Sequence, residues 1–260
     1  MDQSTGSTEN PGGFNATQLK FIAIVAMLID HIAWAFVPTG SVLGQVMHGI
    51  GRFTFPIMAF FVAEGFHYTR SFKKYLARML VFAVLSHFAF QYFNFGRIPL
   101  MAPHPGDPFL AFTYTSIMYT LSLGLIALYI MRKWQGPVYL KYLLIGLICI
   151  LAYPGDYSYF APVLVMLFGQ GFGHRTQQLQ SGALVIGFLV IISLQTDWRS
   201  SIFMTATFLP LLFLSSYNGS QGPSKHPMVK YSFYVFYPLH LLILGFIKYQ
   251  ILGQPPITVF

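Results

Sequence analysis

The chain alternates long apolar stretches with short polar punctuation. A bilayer-spanning helix takes about 20 mainly apolar residues. On that measure the pattern predicts spans near 19–37, 52–68, 76–95, 110–131, 138–153, 159–172, 182–196, 201–216 and 231–251. Several are short, so the expected count is nine within a range of eight to ten. Turn residues fall between them at Pro38-Thr39-Gly40, Pro99 to Pro108, Gly136-Pro137, Pro154-Gly155 and Gly219 to Pro227. The predicted architecture is all-α: a polytopic transmembrane helical bundle forming one domain over 19–251. A disordered polar tail is expected over 1–18 and a short C-terminal tail over 252–260.

The stretch from Leu19 to Val37, LKFIAIVAMLIDHIAWAFV, breaks the apolar pattern from within, because Asp30 and His31 lie inside it. Ionisable side chains at that depth are disfavoured in hydrocarbon. They face the protein interior or a water-filled cavity, and mark functional sites. Along a helix rising about 1.5 Å per residue, His31 lies roughly 18 Å from the start of its span. His87 and His240 lie roughly 15 Å and 14 Å into theirs. Three histidines and Asp30 therefore share one depth and form a candidate convergent site. For His87 alone, a satisfied helix–helix hydrogen bond is the better account of its place.

Composition fixes the class. The chain is 55% apolar and only 8% charged, against about 25% charged in a soluble domain, so its surroundings are a lipid bilayer. The net charge of +8 then reads as an orientation signal. There is no basic domain to bind nucleic acid, and no nucleic-acid partner is expected. With the N-terminus cytoplasmic, the inner loops and ends collect Lys20, Arg70, Lys73, Lys74, Arg78, Arg132, Lys133, Lys141, Arg175, Lys225 and Lys230. These are eleven of the fifteen basic residues, as positive-inside bias demands. Arg52, Arg97, Arg199 and Lys248 fall outside, and an odd span count places the C-terminus outside as well. The first eighteen residues lack the basic region of a cleaved signal, so the first span is expected to stay as an anchor. The single cysteine, Cys149, excludes disulfides and thiolate metal sites within the chain and reads as a small core side chain.

Two more acids stand out. Asp156 lies in Tyr153-Pro154-Gly155-Asp156-Tyr157, between two short apolar segments. It is either a buried acid in a turn at membrane depth or a helix cap in an outer loop. Glu64 sits at the end of the second span, followed by Arg70, Lys73, Lys74 and Arg78. It forms a structural ion pair with a nearby cation, or borders an anion site for which those side chains suit phosphates.

LKFIAIVAMLIDHIAWAF, GRFTFPIMAFFVAEGFHYTRSFKKYLARMLVFAVLS, GDYSYFAPVLVMLFG, YNGSQGP and KYSFYVFYPLHLLIL resemble, in order, the signature segments of the TraX family. The likeness runs from about Lys20 to Leu244 and is least distinctive between Phe95 and Tyr153. It implies a bacterial inner-membrane, multi-pass acetyltransferase that modifies the N-terminus of a pilin subunit with acetyl-CoA as acyl donor. It leaves the acceptor, the acyl-chain specificity and the oligomeric state open. A more distant similarity is to type-3 membrane acyltransferases, which carry an Arg and a catalytic His on the first helix with ten residues between them. Lys20 and His31 have that spacing here, with Lys in place of Arg. Eleven positions at 100° put them on nearly one helix face, about 16 Å apart.

Acyl transfer needs a base for the acceptor's proton and donors for the oxyanion. In this reading His31 is the base. Asp30 fixes its tautomer or steers the acceptor, and pairs with Arg52 or His240. Tyr237 and His240 orient the acceptor or donate to the oxyanion. Lys20, Arg70, Lys73, Lys74 and Arg78 hold acetyl-CoA phosphates, and Arg52, Glu64, His87, Asp156 and Tyr157 are further candidates. No metal motif, phosphate loop or nucleophile elbow is present. The alternatives are a proton-coupled transporter, since buried Asp, Glu and His also build proton relays, and a non-catalytic pilin assembly factor.

Overall fold

The computed structural model describes residues 12–96, 114–222 and 227–255. Residues 1–11 and 256–260 of the expected tails, Arg97, the Pro99–Pro108 segment, Lys225 and the side chain of Lys230 lie outside the described residues.

Every regular element among the described residues is helical. In order they are α1 (Ala16–Phe36), α2 (Val42–Gly51), α3 (Thr54–Tyr68), α4 (Phe72–Phe95), α5 (Ile117–Lys133), α6 (Val138–Ala152), α7 (Phe160–Gln170), α8 (Arg175–Ser201), a 3-10 turn (Ile202–Phe208), α9 (Leu209–Ser215) and α10 (Pro227–Phe246). A π-helical turn (Ile247–Ile251) follows. Local chemistry sets several ends. Asn15 and Gln18 make a reciprocal capping box on α1, and Ser41 caps α2. Gly96 ends α4 in the left-handed conformation, φ 72°.

Among the described residues, five stretches are long and apolar enough to cross a membrane: Ala16–Phe36, Val42–Tyr68, Phe72–Phe95, Arg175–Arg199 and Tyr231–Ile251. The segments expected near 138–153, 159–172 and 201–216 form the shorter apolar helices Val138–Ala152, Phe160–Gln170 and Ile202–Ser215. The second stretch differs from its expected start at 52. Ten more residues, α2, precede it, so Arg52 sits within the helical unit rather than in a loop before it. Gly44, Gly49 and Gly51 dilute the apolar signal of VLGQVMHGIG, which is why hydropathy passes over it.

Apolar side chains cover much of the outside as well as filling the core, and the few buried charges stand out. Phe21, Val81, Val84, Leu184, Phe188, Ile243 and Phe246 are exposed, while Asp30, His48, Arg52, Glu64 and His240 are buried. An apolar exterior, with the few ionisable side chains turned into the bundle, is the arrangement a bilayer favours. Small residues draw the helices together where hydrocarbon supplies no hydrophobic drive. On the α5–α7 seam, a Cβ at Gly124 would meet Val165 at 2.8 Å, and one at Gly169 would meet Leu128 at 2.3 Å.

Near the start of α1, the chain pairs with the loop after α9. Phe14 N–H donates to the Ser216 carbonyl at 2.9 Å, Asn218 N–H returns to Phe14 at 2.9 Å, and Ala16 N–H donates to Ser220 at 2.9 Å. Within the tail expected over 1–18, residues 13–18 are thus part of the folded bundle. The YNGSQG segment is the brace that holds them.

Candidate functional site: a charged cavity along the first helix

A cavity of about 890 Å3 runs beside α1, lined at one end by Lys20, Glu64, Tyr68, Arg70, Arg78, Tyr217 and Tyr234 and at the other by Asp30, His31, Arg52, Asp156, Tyr157 and Tyr237. The two ends are about 16 Å apart, the rise between Lys20 and His31 on α1. That volume lies in the upper range of small-molecule sites.

His31 and His240 meet at the inner end. His31 Nδ1 is 2.9 Å from the Met27 carbonyl, His240 Nδ1 is 2.8 Å from the Phe236 carbonyl, and His240 Nε2 is 3.1 Å from His31 Nδ1. A carbonyl only accepts, so both Nδ1 atoms carry protons. His240 Nε2 is then an acceptor for the shared His31 N–H, and the His31 lone pair is on Nε2. Each ring is therefore held by the carbonyl four residues earlier on its own helix. Both nitrogens of His240 are engaged, which leaves it no N–H for an oxyanion. What the geometry gives it is a contact that holds the His31 ring. The Tyr237 ring stands 6.3 Å from the His31 ring, edge to face. Pro238 interrupts α10 one turn beyond Tyr234 and removes the N–H that would bond the Tyr234 carbonyl.

Asp30 is built into the bundle rather than onto His31. Its carboxylate accepts from Arg52 Nη2 at 2.6 Å and from His48 Nδ1 at 2.8 Å. Of the two partners expected for Asp30, Arg52 is the one in place, and His240 instead meets His31. The tautomer of His31 is set by Met27 and His240, not by Asp30. The His48 ring lies against Trp34 and Phe203, at 4.4 Å and 5.0 Å. The sequence reading missed this histidine. Its spacing to Arg52 was the available signal, since residues four apart share a helix face, but it counted only once α2 was known to be a helix. Gly51 makes the contact possible: a Cβ there would sit 2.3 Å from Asp30 Cβ and Cγ.

Asp156 also faces the cavity, from the turn between α6 and α7. Its N–H donates to the Thr115 carbonyl at 2.9 Å, and its own carbonyl accepts from Thr120 Oγ1 at 2.9 Å. Oδ1 accepts the Tyr157 N–H at 3.0 Å. Tyr157 and Ser158 hold positive φ angles of 56° and 46°, a strained conformation for residues with side chains. Stacking of Tyr157 on Phe55 at 4.0 Å helps to lock it. Burial pushes the Asp156 carboxyl up to about 6, against the pull of Arg52.

At the other end, Lys20 Nζ stands over Phe61 at 4.9 Å. The Arg78 guanidinium lies between Tyr75 and Tyr234, 5.3 Å from each ring. Arg70 and Arg78 line the cavity, whereas Lys73 and Lys74 are exposed and do not. Glu64 faces Arg175 and Gln178 of α8, so its cationic neighbour comes from a distant part of the chain rather than from the 70–78 cluster. His87 stands apart from the cavity wall, hydrogen-bonded to Thr115 Oγ1 at 3.1 Å. Among the described residues no group of His, Cys, Asp and Glu has a metal-binding arrangement.

These features define a helical membrane protein with a charged interior cavity shaped for chemistry or binding. The chain belongs to the TraX protein family, whose pattern it matches over residues 15–248. It is also similar to the probable fimbrial assembly protein FimC, serogroup H1, of Dichelobacter nodosus, with 31% identity over 237 residues, 89% of this chain and 94% of that protein. No solved structure matches the chain.

Proposed function

We propose that this protein is an integral-membrane acetyltransferase that moves an acetyl group from acetyl-CoA to a pilin N-terminus or another exported acceptor. The observation that supports this most is one continuous cavity with cations at one end and a paired histidine at the other. The TraX family match and the fimbrial relative favour a pilin-type acceptor. The chain sits in the bacterial inner membrane with its N-terminus cytoplasmic and about nine membrane segments, the shorter helices included. Lys20, Arg70 and Arg78 then face the compartment that holds acetyl-CoA.

Phosphates rest among these cations, and the pantetheine arm lies along α1 with its thioester near His31. His31 Nε2 takes the proton from the attacking acceptor as the new bond forms at the carbonyl carbon. His240 accepts from His31 Nδ1–H and so supports the imidazolium that results. The thiolate leaves with the proton that His31 collected.

The decisive experiment incubates membranes bearing the protein with acetyl-CoA and a pilin-like peptide, then follows gain of one acetyl group by mass spectrometry. His31→Ala abolishes the gain while acetyl-CoA binding persists. Normal acetylation by that variant would sink the mechanism. The name of the Dichelobacter relative favours a second reading, a non-catalytic assembly factor. It predicts binding and stabilisation of the pilin subunit with no change in its mass.

A further inference from the structure

Asp156 is the inner-end carboxylate without a salt-bridge partner. Arg52 and His48 are both taken by Asp30, and no ion pair to Asp156 occurs among the described residues. The charged and titratable groups around it are Arg52 from the α2–α3 link, Asp30 and His31 from α1, Tyr237 from α10, and Tyr114 and Tyr157 from its flanking loops. Arg52 is the one fixed cation among them, set against the two carboxylates of Asp30 and Asp156. An inner end with one carboxylate in excess calls for a cationic ligand. The strained Tyr157–Ser158 backbone and the two threonine contacts hold Asp156 at the cavity wall, the kind of outlier that clusters at ligand clamps.

We propose that Asp156 is the docking residue for the acceptor, which enters as a protonated amine, and that it removes the first of the two protons the nitrogen must lose. This rests on the acetyl-transfer reading of the same cavity. An α-amino group ionises near 7.7–8.0, about the value of an unperturbed terminus, so it arrives as an ammonium. A hydroxyl acceptor needs one base, but an ammonium needs two. Asp156 takes a proton from R–NH3+, giving R–NH2. The amine attacks the thioester carbon, and His31 Nε2 takes the second proton. The C–S bond breaks, the thiolate receives the proton from His31, and Asp156 releases its proton to water. The balance is ammonium plus acetyl thioester giving amide, thiol and one proton.

The test uses the full-length protein in nanodiscs, with an apolar peptide bearing a free α-amino group and the same peptide N-formylated. At pH 7 the wild type binds the free amine at least about tenfold more tightly, which corresponds to about 1.4 kcal/mol. That preference fades below about pH 6 as Asp156 protonates. Asp156→Asn binds both peptides alike, and Asp156→Glu keeps the preference. In the transfer assay, Asp156→Asn is slowed about tenfold or more at pH 6.5 and recovers towards wild type at pH 9.5, where the amine is already free. His31→Ala stays slow at both. A wild type without preference for the free amine overturns the proposal whether or not the variants fold. So does an Asp156→Asn protein that keeps the preference, or one that stays slow at pH 9.5. If the wild type transfers no acetyl group but shows the Asp156-dependent preference, the acetyl-transfer reading fails and the ammonium site stands.

Discussion

His240 Nε2 lies 3.1 Å from His31 Nδ1, joining residues 209 positions apart in the chain. Because His240 Nδ1 is already bound to Phe236, this contact makes His240 an acceptor for His31 and leaves Nε2 of His31 as its lone-pair atom. The arrangement has the logic of a base oriented by a second group through its far nitrogen.

His31→Ala should lower the rate of acetyl transfer by about 10²–10⁴-fold, the usual contribution of a general base. His240→Ala should fall short of that loss, because it removes orientation and leaves the base itself. Single-turnover rates with saturating acetyl-CoA separate the two. An equal or larger effect at His240 would reverse their roles.

Asp30→Ala should destabilise the bundle by about 3–5 kcal/mol, since it strands the Arg52 guanidinium in a buried site. The double variant Asp30→Leu with Arg52→Met should recover much of that loss. Thermal unfolding in detergent measures both, and purely additive effects would argue against the pair as a unit.

Gly51→Ala places a methyl group 2.3 Å from Asp30 Cβ. The expected loss is about 1–3 kcal/mol from overpacking. Gly146→Ala is the control, because nothing lies within 4 Å of its Cβ position. Equal unfolding temperatures for the two variants would show that α1 and α2 are not in close contact at Gly51.

Lys20→Ala and Arg78→Ala should each raise the KM for acetyl-CoA about tenfold or more, given about 1.5–3 kcal/mol for a hydrogen bond to a charged group, with kcat little changed. Lys73→Ala and Lys74→Ala should leave KM within twofold, since neither lines the cavity. Steady-state kinetics against acetyl-CoA decide the matter. A KM that follows Lys73 instead of Arg78 would move the donor site off the cavity.

Hydropathy and helical rise are local properties, so the sequence alone determined the membrane class, the main apolar helices and the shared depth of His31 and His240. It also exposed Asp30 as a residue in need of a partner. Which partner depends on how neighbouring helices are rotated about their axes. That rotation is poorly written in a membrane sequence, because lipid-facing and bundle-facing positions are both apolar. Only the tertiary structure therefore decided that His48 and Arg52 hold Asp30, that Glu64 faces Arg175, and that His87 bonds Thr115 away from the cavity. It also brought the Asp156 turn to the same cavity end as His31, where packing and not residue order sets which charges meet.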